Sequence, residues 1–152
     1  MKRLARYFAF LICCGLALPA YGVTCSIVSA FVTFASYDPI GANRTTDKTV
    51  LGTIQINCDG ATTVTISLAV GTGTFATRTM GNGGNTLNYN LFADAGYSQV
   101  WGDGTSGTVT VPCVFSSSGT QNIPVYGKIP KGQSNAAVGT YNATPQVTIS
   151  WP

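Results

Sequence analysis

Apolar residues take every second position over the last stretch of the chain. Tyr141, Ala143, Pro145, Val147, Ile149 and Trp151 share one parity, and Asn142, Thr144, Gln146, Thr148 and Ser150 share the other. Strict alternation sends the two sets to opposite faces of a β-strand, which predicts a half-buried strand with its apolar side turned to a core. The same period marks Ile54, Ile56 and Cys58, then Val64, Ile66, Leu68 and Val70. It recurs at Leu87, Tyr89, Leu91 and Ala93, and at Val109, Val111, Cys113 and Phe115. Ile123, Val125, Gly127 and Ile129 carry one more strand, which Pro124 and Pro130 restrict to an edge, a strand start or a bulge. Cys25 to Phe34 opens the series. No stretch sustains a helical period, so an all-β sandwich of about seven short strands is expected.

Turn chemistry divides these strands. Gly81 to Asn85 reads as a flexible turn, and Asp59-Gly60 is expected to close a hairpin between the strand ending at Cys58 and the one beginning near Thr63. Ser36 to Lys48 and Gly132 to Gly139 are polar connections. Past the terminal strand the sequence offers nothing to cover it. An open edge presents its N–H and C=O groups to other strands, so a second polypeptide is expected to cover this one.

The other end of the chain bears on compartment. Lys2, Arg3 and Arg6 precede the apolar run Tyr7 to Leu18, and Ala20-Tyr21-Gly22 supplies small residues of the kind found at cleavage sites. Residues 1–22 are therefore expected to be a secretory signal, and residues 23–152 a single domain. No run approaches the roughly 20 apolar residues that a membrane-spanning helix needs. Without the leader, Arg44, Lys48, Arg78, Lys128 and Lys131 balance Asp38, Asp47, Asp59, Asp94 and Asp103. Such sparse, scattered cations form no basic patch for nucleic acid or anionic lipid.

Catalytic chemistry is poorly supplied. The chain has no histidine, and all its acidic residues are aspartates. That removes the commonest general base and the commonest zinc ligand, so neither an enzyme, a metal nor a cofactor is expected. Asp94 and Asp103 form a formal carboxylate pair, but both sit close to glycines, where aspartate commonly stabilises turns. Tyr97 and Trp101, set among glycines, could form an exposed platform for a glycan or belong to the core. The platform would suit a self-contained, lectin-like secreted module.

Cysteine usage fits export to an oxidising compartment. Cys25, Cys58 and Cys113 remain after the leader, and Cys25 with Cys58 is the favoured bridge. It would close a loop of about 33 residues, worth roughly 3 to 4 kcal/mol in the chain-entropy account. Cys113 shares its parity with Val111 and Phe115, as a buried thiol would, while a reactive or intermolecular thiol is the alternative.

Several motifs then resemble one family. Arg78-Thr79-Met80, Leu87-Asn88-Tyr89-Asn90-Leu91-Phe92, Trp101-Gly102-Asp103-Gly104-Thr105, Val125-Tyr126-Gly127-Lys128-Ile129-Pro130 and Gly139-Thr140-Tyr141, with Val147-Thr148-Ile149 at the end, are similar in order and spacing to the spore coat protein U domain family. The resemblance runs from Cys25 to the end of the chain.

It implies an immunoglobulin-like, pilin-type β-sandwich lacking its last strand. It also implies a secreted structural or adhesive subunit of an archaic chaperone-usher pilus, active in cell adhesion and biofilm formation, or a spore or resting-cell coat protein. A periplasmic chaperone, an outer-membrane usher and other pilus subunits are the implied partners. The route runs through the periplasm to the cell surface, with assembly by donor-strand complementation. On this reading Val147, Ile149 and Trp151 line one side of an acceptor groove, and Ile27 and Phe31 the other. Only Val23 and Thr24 separate the expected cleavage site from Cys25, which leaves no donor segment and suits a tip or cap subunit.

Overall fold

The computed structural model describes residues 22–152, so the expected leader lies outside the described residues except for its last residue. Nine strands follow in order: β1 (Cys25–Phe31), β2 (Lys48–Cys58), β3 (Thr62–Leu68), β4 (Thr72–Gly73), β5 (Arg78–Asn82), β6 (Asn85–Phe92), β7 (Val111–Phe115), β8 (Gly119–Ile129) and β9 (Val147–Ser150). They form two antiparallel sheets, one ordered β1-β2-β8-β6-β5-β4 and the other β7-β3-β9. The architecture is an antiparallel β-sandwich, as the alternation predicts, of the immunoglobulin-like kind that the resemblance implies.

The core is the meeting of the two apolar faces. Ile54, Ile56 and Cys58 of β2 face inward, as do Val64, Ile66 and Leu68 of β3, and all are buried. The expected hairpin between these strands does not form, because β2 pairs with β1 and β8 while β3 pairs with β7 and β9. Asp59 instead carries the chain across from one sheet to the other. Its amide donates to the carbonyl of Thr24, and its carboxylate accepts from the Thr24 amide at 2.8 Å. A turn pair thus reads as a hairpin in sequence and serves as a corner in space. Asn82 and Asn85 do flank a two-residue hairpin turn, where Gly83 supplies the positive φ of 59° that the turn requires.

Pro124 is accommodated by the uneven pairing of β8. That strand meets β2 along its whole length but meets β6 only at Tyr126, Gly127 and Lys128, so Pro124 lies where β8 still has one open side.

β1 contains an irregularity that periodicity cannot show. Cys25 pairs with Cys58 and Ile27 with Ile56, but beyond a bulge between Ile27 and Ser29 the register moves, so that Ala30 stands opposite Ile54 and Phe31 opposite Thr53. One extra residue reverses the faces of everything after it. Ile27 therefore lies on the core side, whereas Phe31 turns to the outer side and is 61% exposed. The expectation that they share a face fails at this bulge, and Ala30, Val32 and Phe34 take over the inward parity.

A groove between two sheet edges

The edges of β1 and β9 lie at the same side of the sandwich, and no further strand among the described residues joins them. Past Phe31 the chain leaves the sheet, and among the described residues no turn or loop main-chain hydrogen bond picks up residues 32–36. On the opposite side, residues 140–146 lead up to β9 outside any strand, with one isolated bridge from Asn142 to Gly81. Asn142 exchanges two main-chain hydrogen bonds with Gly81, and the Gln146 carbonyl accepts from the Ala69 amide. Between these two segments lies a furrow.

Its first part, of 610 Å³, is walled by residues 30–34 and by residues 140–145 with Val147. Ile54, Leu68, Met80, Tyr89, Leu91 and Val125, all buried members of the core, make the floor. The second part, of 540 Å³, continues between residues 34–40 and residues 136–141. Phe34, Met80, Thr140 and Tyr141 line both parts, so the two lie end to end.

Glycines shape the β1 wall. A Cβ on Gly52 would come within 2.5 Å of the Phe31 carbonyl oxygen and of Val32 Cγ2, and one on Gly127 within 2.7 Å of the Phe34 ring and 2.9 Å of Val32 Cγ1. Their hydrogen side chains let Val32 and Phe34 lie down against the sheet.

A profile for the Spore Coat Protein U domain matches residues 14–148. The chain belongs to that family. The match opens within the segment expected to be a leader. No curated protein matches the chain by sequence. Among solved structures, the chain is similar to one in the crystal structure of the CsuC-CsuE chaperone-tip adhesion subunit pre-assembly complex from the archaic chaperone-usher Csu pili of Acinetobacter baumannii. The TM-score is 0.59 at 20% identity, over 84% of this chain and 39% of that one. The present chain thus spans well under half of that relative's length, and the likeness is one of fold.

In this Spore Coat Protein U domain, the residues expected to line a groove are only partly brought together. Phe31 and Val147 border the furrow. Ile27 lies on the core side of β1 beyond the furrow's end, at 37% exposure. Ile149 and Trp151 lie further along the β9 segment, half-buried against the core rather than on the furrow wall. Val32, Phe34 and Tyr141 are the wall residues that sequence reasoning missed, the first two because of the bulge.

Tyr89 is the unusual member of the floor. It is 4% exposed, meets Phe34 edge to face at 6.3 Å, and its hydroxyl has no hydrogen-bond partner among the described residues. Burial pushes the phenol up from its ordinary pKa, against the opposing pull of the Arg78 charge, so the group remains a neutral donor.

Arg78 stands opposite Tyr89 on β5 and is fully buried. Its guanidinium donates to Asn90 Oδ1 at 2.6 Å and to the carbonyls of Trp101, Val70 and Ala69 at 2.8, 3.2 and 3.2 Å. Phe75 lies beneath it, with the ring centroid 5.2 Å away. In sequence Arg78 is only one of the scattered cations, with no role of its own. Its shared parity with the buried Met80 was the available signal.

The aromatic platform does not survive. Trp101 is fully buried, and its indole N–H donates to the Ile66 carbonyl at 3.1 Å. Core packing takes the ring that a glycan would need. Tyr97 is separate from it, half-buried edge to face against Phe92 and Tyr126, with Lys128 Nζ 5.4 Å from its ring centroid.

Asp94 and Asp103 serve their own turns. Asp94 accepts from the amides of Gln99 and Ser98, and Asp103 from the amide and hydroxyl of Thr105. These bonds hold both carboxyls below the ordinary carboxylate range, the opposite of what a general acid needs. Among the described residues no cluster of metal-ligating side chains forms, and no helix is long and apolar enough to cross a membrane. Cys25 and Cys58 form the disulfide, while Cys113 is a free, buried thiol.

Proposed function

We propose that this domain is a secreted, non-enzymatic subunit of a chaperone-usher surface fibre, and that the furrow between β1 and β9 accepts a β-strand from another polypeptide. The observation that carries this reading is the furrow itself. Residues 30–34, which run off the open edge of β1, and residues 140–147, which lead into β9, flank a floor made of core residues, so a strand laid between them would gain main-chain bonds and bury apolar side chains together. Membership of the Spore Coat Protein U domain family and the fold shared with a Csu pilus structure support it. A periplasmic chaperone would fill the furrow first, and a neighbouring subunit would replace it at an outer-membrane usher. Burying each large apolar side chain of such a strand contributes about 1.5 to 3 kcal/mol.

Co-expression with a chaperone of this pathway tests the proposal. The expected result is a stable one-to-one complex, with aggregation when the chaperone is omitted. A chain that folds cooperatively and remains monomeric alone, with no affinity for the chaperone, overturns it. A tip or cap position is the finer part of the proposal. N-terminal sequencing of the exported chain supports it if the chain starts at Val23, and removes it if a strand-length apolar segment precedes Cys25.

A further inference from the structure

The side of the sandwich away from the furrow also ends in open strands. Among the described residues β7 pairs only with β3, and residues 119–125 of β8 pair only with β2. These two strands follow one another in the chain and belong to different sheets, so this side, like the furrow side, has an edge from each. An edge strand that shows an apolar side chain, as β7 does at the 65% exposed Val114, invites a further strand to pair with it. Gln121 is the residue whose chemistry departs from its position. It shares its parity with the buried Ile123 and Val125 and stands opposite the buried Ile56, yet it is an exposed amide. Its side chain leaves β8 and crosses to the other sheet, where Nε2 donates to the Val114 carbonyl at 2.6 Å and Oε1 accepts from the Cys113 thiol at 3.2 Å.

Main-chain groups alternate in direction along a strand, so Pro112 and Val114 turn theirs the same way. Gln121 takes the carbonyl of Val114, and Pro112 has no N–H to give. Pro124 likewise removes a donor from the stretch of β8 that has one open side. A strand approaching this side would have to displace the Gln121 amide and would find donors missing on both edges. The furrow floor offers apolar side chains instead. We propose that Gln121 locks the β7 edge, so that strand addition is confined to the furrow and the subunit cannot pair through its second side. The partner that the lock excludes is a second copy of this chain, whose β7 is itself a short, largely apolar strand able to pair with its twin about a two-fold axis. The confinement to the furrow rests on the strand-accepting reading, whereas the closure of β7 does not.

The test compares the wild-type chain with Gln121→Ala and Gln121→Lys, each purified as its complex with the chaperone so that the furrow is filled. Lysine keeps a donor for the Val114 carbonyl and adds a charge to the edge, so it should lock as glutamine does. Analytical ultracentrifugation over a range of concentrations follows association, and hydrogen exchange at the Val114 amide locates it. Complexes of Gln121→Ala should pair roughly tenfold or more tightly than those of the wild type, with the Val114 amide gaining protection, while Gln121→Lys stays unpaired. Unchanged fluorescence of the buried Trp101 shows that the associating chain is folded. Should the alanine variant fail to fold, Gln121→Met keeps the length of the side chain, drops its polar atoms and gives the same comparison. A folded variant without the amide that remains unpaired at every concentration overturns the inference. So does pairing that leaves Val114 unprotected, or equal pairing of Gln121→Lys. If the wild-type chain takes no chaperone and stays monomeric alone, the strand-accepting reading falls, and the same comparison on that monomer decides the lock by itself.

Discussion

Trp151 donates its indole N–H to the carbonyl oxygen of Val23 over 2.7 Å. The bond joins the residue after β9 to the stretch before β1, so the two edges are clasped at this end and stand apart where the furrow runs between them. The disulfide lies at the same end, tying β1 to β2 through Cys25 and Cys58. Replacing Trp151 by phenylalanine keeps much of the ring's packing and removes the donor. We expect a loss of about 1 kcal/mol in urea unfolding of a strand-complemented chain. An unchanged midpoint would mean that water replaces the indole at Val23 without penalty.

The furrow wall depends on two glycines. In Gly52→Ala the new methyl group would press on the Phe31 carbonyl and on Val32, and the backbone carbonyl has no rotamer with which to yield. The expected cost is about 1 to 3 kcal/mol of stability, together with weaker capture of a complementing strand as Val32 is pushed out of place. Gly81→Ala is the control, since a Cβ there meets nothing within 4 Å. Its effect should stay within about 0.5 kcal/mol. Similar losses for both variants would show that strand propensity, rather than the wall, decides the outcome.

Much of this fold is legible as alternation. The inward positions of β2, β3, β6 and β8 all follow from a period of two, because one face of each strand meets the core. The bulge after Ile27 is not legible, since an extra residue leaves composition unchanged and shows only when a partner strand fixes the register. Unbroken alternation from Ile27 therefore points Phe31 inward, whereas the bulge gives that face to Val32 and Phe34. The corner at Asp59 has the same origin: a turn pair fixes a local reversal, but whether the next strand pairs back or crosses the sandwich depends on which partners compete for β2 and β3. The sequence leaves Trp101 open between a platform and the core, and gives Arg78 only as one of several scattered cations, because the carbonyl acceptors that hold both inside come from distant segments. Tyr89 was correctly placed in a strand, but an unpaired hydroxyl becomes visible only with coordinates.

Arg78 should resist even conservative replacement. Its planar guanidinium serves four acceptors at once, on Asn90, Trp101, Val70 and Ala69, and an ammonium on a flexible stem cannot reach them all. In Arg78→Lys at least one buried carbonyl is left unpaired and a charge is left poorly solvated. We expect destabilisation of about 3 kcal/mol or more, measured by chemical denaturation, with the fluorescence of the neighbouring Trp101 reporting the local disorder. A loss below about 1 kcal/mol would show that water enters and replaces the fork.

The Cys25–Cys58 bridge should account for a large part of the domain's stability. Replacing both residues by serine removes a cross-link between positions 33 apart in sequence and places two hydroxyls where buried sulfurs stood. The cross-link alone predicts a loss of about 3 to 4 kcal/mol, and reduction of the wild-type chain should reproduce most of it without the added polar groups. If reduction leaves the unfolding midpoint where it was, the bridge is redundant with the β1–β2 pairing.

Cys113 offers a clean reporter of that unfolding. Its side chain is 6% exposed in the cluster formed with Phe115 and Val64, and its thiol lies 3.2 Å from Gln121 Oε1, where the S–H can donate. Burial pushes the thiol above its ordinary pKa, so near pH 8 the folded chain holds less of the nucleophilic thiolate than the unfolded chain does. Alkylation by iodoacetamide should therefore be slower in the folded state by on the order of tenfold or more, and should accelerate in step with denaturant unfolding. Because the same burial denies access to a second thiol, an oxidised preparation should show no Cys113-linked dimer on a non-reducing gel. Rapid labelling of the folded chain, or a dimer that Cys113→Ser abolishes, would place this cysteine at a mobile or intermolecular site instead.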